Sequence, residues 1–95
     1  MDFIKLFDAC VKETKPRLDK YTTPTSLDTT LKEEDIGLDS LDLTLSLILV
    51  MDVYGIPETQ DFNIPTESLK AVMDYMHENK TRDFDSVEAA MKEVV

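Results

Sequence analysis

The chain has 95 residues, 42% hydrophobic and 32% charged, the proportions of one small globular domain with a thin core. Twenty acids against ten Lys and Arg give a net charge of −10, which repels nucleic acid and anionic lipid and favours partners with basic patches. A single cysteine excludes an intrachain disulfide framework and a zinc cluster built from thiolates, and the longest unbroken apolar run, residues 47 to 51, is too short to span a bilayer.

Residues 3 to 14 are expected to form an amphipathic helix with Phe3, Leu6, Phe7, Cys10 and Val11 on its apolar stripe. Pro16 helps to end it, because the residue before a proline is pushed out of the α region. Cys10 reads as a core residue rather than a reactive thiol. Asp2 and Asp8 interrupt the apolar start, so no signal peptide is expected. A long loop follows. Its Thr, Ser and Pro residues at 22 to 30 supply turn and cap chemistry, while Leu18, Leu27, Leu31 and Ile36 are spaced to pin it to a core.

Next comes the most informative stretch, Gly37-Leu38-Asp39-Ser40-Leu41, between the acidic residues Glu33-Glu34-Asp35 and a long apolar run. Asp39 suits an N-cap, and Gly37 allows a sharp bend into that cap. Ser40 is then the first helical residue, with its hydroxyl beside unpaired amides at the positive end of the helix dipole. That is a favourable seat for a phosphoester. The helix is expected from 40 to 54, where Gly55 and Pro57 stop it. Ten of its residues from Leu41 to Tyr54 are apolar. Leu43, Leu47, Val50 and Tyr54 cluster on one side with Ser46 at the edge, a plausible core stripe, and Leu41, Leu45, Ile48 and Asp52 lie opposite.

A short turn at 58 to 63 leads to a helix expected over 66 to 79, entered through Pro65 and capped by Thr66 or Ser68. Residues 81 to 95 read as an extension carrying a further helix. Asp85-Ser86-Val87-Glu88 offers a capping box with the Asp85 side chain reaching the amide of Glu88, and Phe84, Val87, Met91 and Val94 share a face. The pattern is all-α, with residues 1 to 80 as one unit and an extra C-terminal helix beyond it.

Asp39-Ser40-Leu41, preceded by Asp35-Ile36-Gly37-Leu38 and followed by Asp42 and the helix through Tyr54, resembles the attachment motif of acyl carrier proteins. Ser68-Leu69-Lys70-Ala71-Val72-Met73-Asp74-Tyr75-Met76 is similar to the last helix of that family, so the likeness spans residues 3 to 79. The resemblance implies a small four-helix acyl-carrier-like bundle over 1 to 80 with 4′-phosphopantetheine esterified to Ser40, Asp39 and Leu41 flanking the attachment, and Asp39 serving the modifying synthase's metal-bound complex. It implies a non-catalytic carrier of acyl thioesters for fatty-acid, lipid or polyketide-type synthesis. Its partners would be a phosphopantetheinyl transferase and acyl-loading and acyl-transferring enzymes. An aminoacyl or peptidyl carrier, or an unmodified helical adaptor that has lost the arm, uses the same residues differently.

In that family the outer face of the second helix meets the enzymes and generally carries glutamates. The corresponding surface would be Leu41, Asp42, Leu45, Ile48 and Asp52, with Leu45 and Met51 at positions that match the glutamates. Either the tail helix covers this face or a more hydrophobic partner binds it.

No metal site is expected, since His77 is the only histidine and the spacing of Glu33, Glu34, Asp35, Asp39 and Asp42 is not that of a Ca²⁺ loop. A Ser40 nucleophile would need a neighbouring base, which the sequence does not offer. Met51, Met73, Met76 and Met91 read as core. A soluble, cytoplasmic monomer is the expected form.

Overall fold

A computed structural model describes residues 2–14, 20–57 and 64–94. Pro16, Leu18 and the turn at 58 to 63 lie outside them. The described residues hold five helices and no strand: α1 Phe3–Glu13, α2 Glu33–Ile36, α3 Ser40–Val53, α4 Leu69–Asn79 and α5 Val87–Val94.

α1 begins at Asp2, whose carboxylate accepts the amide of Lys5, and buries Phe3, Leu6, Phe7, Cys10 and Val11 as its spacing requires. These side chains meet Leu47, Val50, Val53 and Tyr54 of α3 and its end, and Leu69, Val72 and Met76 of α4, in one core cluster. Met51 and Met76 are buried, and Met73 and Met91 pack at the edge of the core.

The loop before α2 does structural work at both ends. Tyr21 donates to the Asp8 carboxylate at 2.7 Å, Thr23 donates to the same oxygen at 3.0 Å, and Lys12 pairs with its other oxygen at 2.9 Å. Burial pushes the Asp8 carboxyl up, but the bonds from Lys12, Tyr21 and Thr23 outweigh it and hold the group below its ordinary value. Further on, the carbonyls of Thr29 and Leu27 accept the amides of Leu69 and Lys70, while the Ser68 hydroxyl and carbonyl take Ala71 and Val72. The amides of Leu69, Lys70 and Ala71, which have no acceptor inside α4, are thereby satisfied, two of them by a loop some forty residues away.

Four details differ from the sequence reading. The acidic residues 33 to 35 form the helical turn α2 rather than loop, closed by Gly37 at φ 76°. α4 starts at Leu69, because Ser68 and not Thr66 is its cap. In α5 the hydroxyl of Ser86 accepts the Ala89 amide, so the cap is one residue later than Asp85. Within α3, Met51 and Ser46 are buried and Leu43 is only half-buried. The core stripe is therefore wider than the wheel suggested, because α1 and α5 both pack on α3.

Ser46 is a buried polar residue whose hydroxyl donates to the Asp42 carbonyl at 2.9 Å. A half-buried hydroxyl on Thr14 lies 3.5 Å away and itself donates to the Val11 carbonyl. Both groups are thus partnered inside the α1–α3 interface.

The tail helix packs on α1 and α3. Val87 and Ala90 are buried, and Phe84, Met91 and Val94 lie against the core. This seat leaves the first half of the outer face of α3 uncovered. Leu41 is 66% exposed and Leu45 43%.

Candidate functional site

Ser40 is the first residue of α3 and is exposed. Its position is set from the N-terminal side by Asp39, which holds an extended backbone while its carboxylate accepts the Asp42 amide at 2.8 Å and its carbonyl accepts the Leu43 amide at 2.9 Å. The amides of Ser40 and Leu41 have no acceptor within the helix, so they face outward beside the Ser40 hydroxyl with the positive end of the dipole behind them. On the next turn Thr44 donates its hydroxyl to the Ser40 carbonyl at 2.7 Å.

Gly37 makes the approach to this cap possible. Its left-handed backbone closes α2, with its amide bonded to the Glu33 carbonyl at 2.8 Å, and it is crossed closely by the backbone carbonyl of Lys20. A Cβ at Gly37 would overlap that carbonyl, and the positive φ disfavours a side chain independently. The Thr22 amide bonds to the Ile36 carbonyl at 3.0 Å, and the Thr30 hydroxyl donates to Asp35, so the loop and α2 form one surface.

That surface walls an open groove of about 530 Å³ next to the cap, lined by Lys20, Thr22, Glu33, Glu34, Asp35, Gly37, Asp39 and Asp42. Five carboxylates against one ammonium make it strongly electronegative, suited to a basic side chain of a partner. Among the described residues no set of three or more His, Cys, Asp or Glu is arranged to hold a metal ion. Lys20 carried no signal in the sequence and Thr22 only a turn signal, since nothing local brings residues 20 and 37 together.

The side chains suggested by the sequence divide into two groups. Asp39, Ser40, Leu41 and Leu45 are exposed along the mouth and first half of α3, with Asp42 and Ile48 half-buried beside them. Asp52, also half-buried, lies at the far end, where its carbonyl accepts Arg82. The apolar strip therefore starts at Ser40 and fades before the end of the helix.

The remaining reactive groups are occupied structurally. Cys10 is fully buried, and burial, with smaller contributions from the Asp52 and Glu13 charges, pushes its thiol up to about 12. It is therefore neutral and shielded. His77 is exposed and presents its ring edge-on to Phe3 and Tyr54, with centroids 6.4 and 5.7 Å apart.

No helix among the described residues is long and apolar enough to cross a membrane. Comparison with protein-family models, with curated proteins and with solved structures gave no match.

Proposed function

We propose that the protein is a non-catalytic carrier in which the Ser40 hydroxyl is esterified by 4′-phosphopantetheine and presents acyl intermediates to separate enzymes. The observation that carries this reading is the exposed hydroxyl on the first residue of a capped helix. The residues present fit such a group. A phosphodiester on Ser40 would lie by the unpaired amides of Ser40 and Leu41, while Asp39 has its carboxylate engaged on the Asp42 amide and holds the turn in place. When attached, the group supplies a thiol on which acyl chains are held as thioesters.

The protein's own residues orient and recruit. Asp39 and Gly37 fix the direction of the hydroxyl, the acidic groove attracts a basic surface, and Leu41 and Leu45 offer an apolar contact immediately beside the attachment point. The partners so described are a phosphopantetheinyl transferase and acyl-loading and acyl-transferring enzymes that combine basic and apolar contacts. A lone buried thiol is compatible with a reducing compartment such as the cytoplasm.

Intact mass after incubation with a phosphopantetheinyl transferase and coenzyme A tests the proposal. The wild-type chain should gain one phosphopantetheine and Ser40→Ala none. A wild-type chain that gains nothing under conditions that modify a control carrier would leave the unmodified adaptor, for which the apolar start of α3 is the supporting feature. Modification of Ser40→Ala at the wild-type rate would place the attachment elsewhere.

A further inference from the structure

The segment joining α4 to α5 is bonded to the end of α3 more fully than a connector requires. α3 closes with Gly55 at φ 67°, its amide bonded to the Asp52 carbonyl and the Ile56 amide to the Met51 carbonyl, the pattern of a glycine-terminated helix. The Tyr54 amide takes the Val50 carbonyl, so that among the described residues Val53 is the carbonyl of the last turn with no backbone partner. Arg82 Nε donates to it at 3.1 Å, and another guanidinium nitrogen donates to the Asp52 carbonyl.

Thr81 extends the same seam. Its amide donates to the Tyr54 carbonyl at 2.8 Å and its hydroxyl to the Gly55 carbonyl at 2.7 Å. The last turn of α3 contains no basic residue, so Arg82 is also the cation at the negative end of this helix. The same guanidinium lies 5.6 Å from the centre of the Phe84 ring and 3.9 Å from Glu93 in the last turn of α5. One side chain thus ties the end of α3 to both ends of the tail.

Beyond that tie, α5 is held lightly. It has eight residues, too few to persist as a helix without its seat. Only Val87 and Ala90 are buried, and its link to α1 through Lys5 and Glu88 is an exposed ion pair of the kind that contributes little. Beneath it lies Cys10, with Sγ 3.9 Å from the Met91 sulfur.

We propose that Arg82 is the latch of a separable lid: residues 80–94 open as a unit from α1 and the far half of α3, uncovering Cys10, while the rest of the bundle stays folded. The lid is a conformational device independent of what Ser40 carries. Its closed state shields the flank of α1 around Cys10 and leaves the strip beside Ser40 exposed.

The test uses the full chain with Cys10 as reporter, alkylated by iodoacetamide at increasing urea. Labelling of the wild-type protein should depend on urea much less steeply than global unfolding does, since only the lid's surface is exposed. Labelling that tracks global unfolding overturns the proposal. Arg82→Met should raise the labelling rate by about tenfold or more and accelerate amide exchange over 87–94, with little change over 40–50. Arg82→Lys, which keeps the charge but cannot serve two carbonyls in one plane, should fall between. Unchanged labelling, uniformly faster exchange, or failure of Arg82→Met to fold would each show that the tail is not a latched, separable unit. Ser86→Ala provides a second check. It removes the cap of α5 without touching α3, and should raise labelling severalfold with exchange at the end of α3 preserved. Loss of protection in α3 and α5 together in that variant would also overturn the lid.

Discussion

Asp39 and Arg82 close opposite ends of one helix: the Asp39 carboxylate accepts the Asp42 amide at the start of α3, and the Arg82 guanidinium donates to the Asp52 and Val53 carbonyls at its end. Each charge opposes the partial charge of the terminus it meets. Ser40 sits at the first of these ends and the tail is anchored at the second.

Removing the first cap should be measurable without unfolding the protein. Asp39→Ala is expected to lose about 1 kcal/mol in urea denaturation, and, if Ser40 is the attachment site, to slow its modification. Modification at an unchanged rate would limit Asp39 to the cap.

Two leucines on α3 separate surface from core. Leu47 is buried, so Leu47→Ala should cost on the order of 2 to 5 kcal/mol. Leu45 is 43% exposed, so Leu45→Glu should change stability by less than about 0.5 kcal/mol. The Leu45 substitution should nevertheless weaken binding of an acyl-transferring enzyme, measured by titration calorimetry. Equal binding would move the docking contact away from this strip.

Gly37→Ala is expected to destabilise the chain by well over 1 kcal/mol, since the new side chain meets both a positive φ and the Lys20 carbonyl. The midpoint of urea unfolding measures the loss. A near-neutral result would mean that the loop at residues 20 to 22 can retreat from α2 at little cost.

Alkaline stability follows from two buried acids that hold their protons. Burial first, then the Asp52 and Glu13 charges, raises the Cys10 thiol from an ordinary 9.0 to about 12. Burial first, then Asp83 and the Cys10 thiolate, raises the Tyr54 phenol from 10.0 to about 12. Both bind protons more tightly in the folded state, so their contribution is intact below the ordinary values and is lost as pH rises toward the folded ones. The midpoint of urea unfolding should therefore fall progressively from pH 9.0 to about 12. A midpoint constant across that window would contradict the burial of these groups.

Salt should act in the opposite direction. The first twenty residues hold five bases and four acids, so the remainder carries −11. At physiological ionic strength such charges repel across a Debye length of about 8 Å, and added NaCl or Mg²⁺ should raise the melting temperature. A flat or falling melting temperature would show that the acids are already compensated.

Local patterns were enough to read the four longer helices, though not the short α2, because a 3.6-residue spacing of apolar side chains and a nearby cap leave few alternatives. Phe3 to Val11 and the run after Asp39 show this directly, and so does the exposure of Ser40, since a cap residue places the next hydroxyl at a helix mouth. What remained illegible depends on partners distant in the chain. The wall that Lys20 builds against Gly37, the loop carbonyls of Leu27 and Thr29 that cap α4, and the grip of Arg82 on Val53 join residues 17 to 43 positions apart. Which leucines of α3 face water was decided the same way. The wheel sets Leu41 and Leu45 opposite the core stripe but contains no instruction on whether the tail covers them. The seat taken by α5 on α1 and α3 leaves Leu41 and Leu45 exposed, while Met51 is buried.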